Sequence, residues 1–229
     1  MKKATIGLVI FLILNGIAFS QEGEQTTPTP EQYRAMIAKS IADLNVPAEA
    51  VSDIKMILIN DSINLRIYYP SVEGPLPILF QMHGGCWVAG DLETHDNICR
   101  YLCNQAECIV VAIDYRQPPE NRYPAAVNDC YSALQWIYKN AEVLGGDKCK
   151  IALIGDSSGG NLASALIITS ENDESKDEAQ LYHTQLLNAG VGSSLFEIKG
   201  IGHFAGLWAA GSDEVNEVKA LVVQKLREL

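Results

Sequence analysis

The order of strand-like and helix-like segments predicts an α/β chain: a mostly parallel sheet with helices on both faces. Three observations carry this. Short apolar runs at 76–82, 108–113 and 150–154 alternate with helical patterns near 94–106 and 125–140. Ahead of them, 54–59 and 64–69 alternate apolar and polar residues around Asn60-Asp61, which marks an antiparallel strand pair. The run Lys150-Ile151-Ala152-Leu153-Ile154 then leads straight into a glycine-rich turn, Gly155-Asp156-Ser157-Ser158-Gly159-Gly160, and a small-residue helix, Asn161 to Ala165.

The elements follow in chain order. Residues 1–20 have a Met-Lys-Lys start, an apolar run from Ala4 to Leu14, and Ala18-Phe19-Ser20 before Gln21. A basic start, an apolar middle and small residues at −3 and −1 predict a secretory signal peptide cut after Ser20. The alternative is a membrane anchor, but the apolar run is short and interrupted by Asn15-Gly16. Export implies a secreted or periplasmic protein with no stable membrane anchor after cleavage. Residues 21–30 are polar and Pro/Thr-rich, a flexible leader. From 31 to 229 a single domain is expected. It opens with a helix at 31–44, where Tyr33, Met36, Ile37, Ile41 and Leu44 recur at helical spacing. Its tail holds a helix at about 175–188, a strand at 193–198, a loop carrying His203, and an amphipathic helix from Asp213.

Composition excludes several classes. The formal net charge is −11, and loss of Lys2 and Lys3 would take it to −13. So acidic a protein is repelled by nucleic acid and by anionic membranes. The six cysteines all lie between Cys86 and Cys149, too sparse for a disulfide scaffold. Cys99, Cys103 and Cys108 lack zinc-like spacing with histidine, so packing is their expected role. The Gly155–Gly160 segment is followed by Asn161-Leu162 where a phosphate loop needs Lys-Ser/Thr, and it contains no GxGxxG.

Two segments carry chemistry. Glycines two residues either side of Ser157, between strand and helix, form the nucleophile-elbow pattern. The strained turn pushes the hydroxyl out above the sheet, and the helix start offers free N–H groups and a positive dipole end. Upstream, His83-Gly84-Gly85-Cys86-Trp87 ends the strand at 76–82. Its glycines leave backbone N–H groups unshielded, able to point at a developing oxyanion. Either segment alone could be an ordinary turn. Together, in this order, they are two parts of one acyl-transfer machine.

The chain resembles the hormone-sensitive-lipase-like branch of the α/β-hydrolase family of carboxylesterases. The resemblance runs through HGGCWVAGDLETHD (83–96), AIDYRQPPENRYPAAVND (112–129) and LGGDKCKIALIGDSSGGNLA (144–163). It continues, more loosely, through LIITSENDESKDEAQ (166–180) and IGHF (201–204). It implies the α/β-hydrolase fold, with Ser157 as nucleophile, His203 as general base and Asp173 as the acid orienting it. It also implies oxyanion-hole N–H groups from Gly84, Gly85 and Ser158, a small-molecule ester substrate, and no metal or organic cofactor. In relatives the N-terminal helix contributes to a cap over the site.

A serine hydroxyl needs an imidazole to take its proton. Of four histidines, His83 belongs to the oxyanion turn, while His95 and His183 fall in polar, helix-like stretches where solvent exposure is expected. His203 follows an apolar run, in a loop at a strand end. Asp173 has Glu171, Glu174 and Asp177 as neighbours, a run that can equally be a solvated face.

Two departures from the family stand out. Cys86 replaces the third glycine of the turn that many relatives have. Asp173 follows Ser157 by only 16 positions, where the family inserts the rest of a helix, a further strand and part of the cap. A right-handed crossover takes a dozen or more residues before the next parallel strand. The chain therefore reads as a hydrolase with an internal deletion, its sheet one strand short and part of the cap absent. A serine carboxylesterase is the leading expectation. The alternative is a non-catalytic hydrolase-fold protein that keeps the motifs around an incomplete site.

Overall fold

The computed structural model describes residues 28–163 together with the backbone of 9–12, 166–172 and 194–202. It also describes single helical positions at 180, 181, 184, 188, 216 and 220, and 222–224. The strands are β1 (Val9–Leu12), β2 (Asp53–Ile59), β3 (Ile63–Tyr69), β4 (Leu76–Met82), β5 (Ile109–Asp114), β6 (Gly146–Asp156), β7 (Leu166–Asn172) and β8 (Ser194–Gly202). The helices whose bounds are described are α1 (Pro30–Asp43), α2 (Asp96–Ala106), α3 (Ala125–Asn140) and α4 (Ser158–Ala163). Among the described residues, one eight-stranded sheet runs in the order β2-β3-β5-β4-β6-β1-β7-β8.

Strand β3 is antiparallel to both β2 and β5, and every other neighbouring pair is parallel. The β2–β3 turn rests on Asn60 (φ 51°) and Asp61 (φ 57°), left-handed values that Asn and Asp tolerate better than most residues. Strands β4 and β5 are buried almost throughout, because helices cover both faces.

The pleat sorts their side chains into two cores. Leu79, Val110, Ala112, Ala152 and Ile154 face α2, meeting Ile98, Cys99, Leu102, Cys103 and Ala106. Ile78, Phe80, Met82, Ile109, Val111, Ile113 and Ile151 face α3, meeting Ala126, Cys130, Ala133 and Ile137. The α3 contacts recur at i, i+4, i+7 and i+11, the single apolar stripe that a surface helix turns inward. Cys99, Cys103 and Cys108 pack in the α2-side core, as expected from sequence.

The β6–α4–β7 passage departs from expectation. Helix α4 has six residues, and only two positions separate Ala163 from Leu166. Strand β7 does not pair with β6. Between them lies β1, parallel to both: Val9 to Leu12 pair with Leu153 to Asp156, and Ile10 to Leu12 pair with Leu166 to Ile168. The expected vacancy beside β6 is therefore filled from the chain's far end. Neighbouring strands lie about 4.8 Å apart, so β7 sits about two such steps from β6.

Candidate active site

Ser157 stands between the last residue of β6 and the first of α4 with φ 51°, a left-handed conformation costly for a residue with a Cβ. The flanking glycines show why the turn tolerates nothing larger. A Cβ on Gly155 would lie 2.3 Å from Gly159 C, and one on Gly159 would lie 2.0 Å from Met82 O and 2.5 Å from His83 O. Strand β6, helix α4 and the end of β4 thus meet backbone to backbone. Ser158 begins α4, so its N–H falls in the first turn, where no preceding helical carbonyl can accept it.

The turn after β4 winds tightly. Gly85, Cys86 and Trp87 have φ of 124°, 54° and 60°, and Gly85 O accepts from Val88 N–H at 3.0 Å and Ala89 N–H at 2.8 Å. A Cβ on Gly85 would lie 2.1 Å from Ala89 O, so the glycine is sterically required. Cys86 keeps the left-handed backbone that a third glycine would adopt freely. Helix α1 lies over this turn: Tyr33 Oη donates to Cys86 Sγ at 3.3 Å, and Arg34 Nε donates to Val88 O at 2.7 Å. This agrees with the expected place of the N-terminal helix.

Asp156, buried at 6 % exposure, joins the two turns. Its Oδ1 accepts from Gly84 N–H and from His95 Nε2–H, each at 3.0 Å. His95 is therefore not solvated, as its polar stretch suggested, but buried and paired. Burial alone would raise the Asp156 carboxyl, but the His95 charge and hydrogen bond hold it below the usual carboxylate range. Burial likewise works against His95, yet Asp156 and Asp91 raise it above the ordinary imidazole value.

His83 behaves oppositely. Its Nδ1 lies 2.9 Å from Gly84 O, its ring stacks on Tyr115 at 4.1 Å, and Tyr115 Oη donates to His83 O at 2.7 Å. Burial, with the charge of His95 nearby, pushes it down to about 4. Nδ1–H donates to the carbonyl, so Nε2 is a bare lone pair, and a neutral ring leaves no buried proton unsatisfied. His83 braces the turn and is not a proton shuttle.

Of the residues expected at the site, the structure brings together Ser157, Ser158, Gly84 and Gly85. The Gly84 N–H is engaged by Asp156. Asp173 and His203 lie outside the described residues. Each directly follows a described strand end: β7 closes at Asn172 and β8 at Gly202, and these two are register partners. Asp156 and His95 were not foreseen as site residues. The available signal was a carboxylate ending a buried apolar strand, which demands a partner.

A family model described as alpha/beta hydrolase fold matches residues 79–168. The chain is 37 % identical over 151 residues to an arylesterase of Saccharolobus solfataricus, covering 66 % of this chain and 49 % of that protein. It is 45 % identical over 105 residues to the carboxylesterase NlhH of Mycobacterium tuberculosis, covering 45 % of this chain and 33 % of that one. A solved structure of a hyperthermophilic esterase from Pyrobaculum calidifontis superposes with a TM-score of 0.83 at 25 % identity, covering 91 % of this chain and 94 % of that one. Sheet order, elbow and the match over 79–168 give this chain the α/β-hydrolase fold. Within that fold it is similar to an arylesterase and a carboxylesterase. It spans half or less of the length of these two curated relatives.

Proposed function

We propose that this chain is a serine carboxylesterase that hydrolyses small esters through an acyl-enzyme. The observation that carries the reading is the shared Asp156, which ties the Ser157 elbow to the glycine turn. Ser157 attacks the ester carbonyl, and His203 takes its proton and returns it to the leaving alcohol. Asp173 holds the imidazole tautomer. Three N–H groups were expected to stabilise the oxyanion. Gly84 is already engaged by Asp156, so Gly85 and Ser158 make the direct contacts and Gly84 sets the turn. The register partnership of Asn172 and Gly202 supports delivery of Asp173 and His203 from adjacent strand ends. Arylesterase and carboxylesterase are the names of the similar proteins, which supports an ester substrate.

Export, with cleavage after Ser20, rests on the sequence of residues 1–20. No helix among the described residues is long and apolar enough to cross a membrane. Cleavage would remove β1 from between β6 and β7, so precursor and mature chain differ in the sheet itself.

The second reading is a non-catalytic hydrolase-fold protein. The 16-position spacing from Ser157 to Asp173 favours it. A fluorophosphonate probe separates the two. An activated serine labels at Ser157, and His203→Ala suppresses the labelling. No labelling of the wild-type chain supports the remnant, and labelling that persists in His203→Ala removes His203 as base.

A further inference from the structure

His95 has a complete set of partners, and their protons can be counted. Thr94 Oγ1 accepts from Asp91 N–H at 2.9 Å and donates its single proton to Asp91 O at 2.9 Å. His95 Nδ1 lies 3.0 Å from Thr94 Oγ1. With the hydroxyl proton directed to Asp91 O, Nδ1–H is the donor. Nε2–H donates to the Asp156 carboxylate at 3.0 Å. In that arrangement both ring nitrogens donate, and Asp156 and Asp91 favour the imidazolium form of this ring, which is buried to 5 % exposure.

The charged and titratable groups facing it are Asp156 from β6, Asp91 from the loop before α2, and His83 from the end of β4. The His83 ring centroid lies 5.7 Å away, and that ring is neutral. The carboxylate that receives the His95 proton also receives Gly84 N–H. Space confirms how closely the parts fit: a Cβ on Gly84 would lie 2.3 Å from Asp156 Oδ2.

We infer that His95 is a positioning residue for the oxyanion turn: acting through Asp156, it fixes Gly84 and so aims the Gly85 N–H at the carbonyl attacked by Ser157. The inference rests on the esterase reading for its catalytic consequence, but not for its geometry. Without the imidazolium, Asp156 is a buried carboxylate lacking its counter-charge, and it relaxes by taking a proton or turning away. Either movement releases Gly84, while Ser157 keeps its place between β6 and α4. Ground-state binding changes little, because the oxyanion contact forms only as the reaction proceeds.

The sign of the pH effect follows. The His95 pKa is raised, so its contribution is complete below the ordinary imidazole value and is lost as pH rises through the higher folded value. The Asp156 pKa is depressed, so its contribution holds above the ordinary carboxylate value and is lost only as pH falls through the lower one. The pair therefore adds an alkaline limb to kcat.

The test uses the full chain with p-nitrophenyl acetate and compares His95→Phe with His95→Gln. Phe keeps the volume and removes both donors, whereas Gln keeps a neutral donor toward Asp156. The expected result is a fall in kcat on the order of 30-fold for His95→Phe with KM within about threefold, part of the 10²–10³ carried by one oxyanion donor. His95→Gln keeps a donor but not the charge, so its kcat stays at the low level the wild type reaches at high pH and shows no alkaline limb. A kcat within about threefold of wild type in folded His95→Phe overturns the inference. If that variant does not fold, an unchanged alkaline limb in His95→Gln overturns it. Should the wild-type chain turn over no ester, the esterase reading fails separately. Amide exchange of ¹⁵N-glycine-labelled protein then decides: exchange at Gly84 at least tenfold faster in His95→Gln than in the wild type near neutral pH supports the positioning role, and equal exchange in both proteins overturns it.

Discussion

Asn172 and Gly202 are register partners at the ends of the neighbouring parallel strands β7 and β8. The next residues in the chain are Asp173 and His203. Parallel strands end on one edge of a sheet, and Ser157 follows the end of β6 in the same direction, with β1 between β6 and β7. In open α/β sheets, ligands bind outside the carboxyl ends of the strands. The short passage from Ser157 to Asp173 is thus compatible with a serine, an acid and a base arriving at one edge.

Asp173→Asn is expected to lower kcat/KM on the order of 10⁴-fold, the cost of losing the acid from a well-built triad. Steady-state kinetics on a small p-nitrophenyl ester measures it. A loss under about tenfold means that the compressed chain does not deliver this carboxylate, and that a neighbour such as Glu171 or Glu174 serves, or none.

The left-handed backbone at Ser157 predicts an unusual order of stabilities. Ser157→Gly relieves the Cβ strain that Ser157→Ala retains, so the glycine variant is expected to be more stable by about 1 kcal/mol. Urea unfolding of the two Ser157 variants provides the comparison. Equal midpoints would show that the elbow holds no such strain.

Gly159 lies inside α4, where replacing an exposed glycine by alanine normally stabilises by about 1 kcal/mol. The contact of its Cβ position with Met82 O reverses the sign. Gly159→Ala is expected to destabilise by about 2 kcal/mol or more, because β4 or α4 must move to admit the methyl group. Thermal unfolding reads this directly, and a raised Tm would contradict the packing described.

Removing residues 1–20 takes away β1 and leaves β6 and β7 with unpaired inner edges. Such edges pair with other chains. The 21–229 chain is expected to melt at a lower temperature than the full chain and to self-associate with concentration. Calorimetry and light scattering compare them. A monomer with unchanged Tm would mean that β1 contributes nothing to the folded sheet.

The strand pattern was readable because β4 and β5, covered on both faces, must be continuous apolar runs. α3 was readable because its stripe of Ala126, Cys130, Ala133 and Ile137 keeps helical period. Ser157 was readable because only glycine fits at positions 155 and 159. The pairing of His95 with Asp156 was not, since two polar residues 61 positions apart give no local sign of meeting. Nor was the place of Val9–Leu12: an apolar run after two lysines fits a leader as well as a buried strand, and composition alone does not distinguish them. What selects the strand in the full chain is the vacancy beside β6, a property of the whole sheet.

The most direct test of the esterase assignment is hydrolysis of p-nitrophenyl acetate by the full chain beside its Ser157→Ala variant. The assignment predicts steady turnover by the wild type, preceded by a burst if deacylation is slow, and a rate at least about 10³-fold lower in the variant. A wild-type rate no greater than that of Ser157→Ala would contradict it.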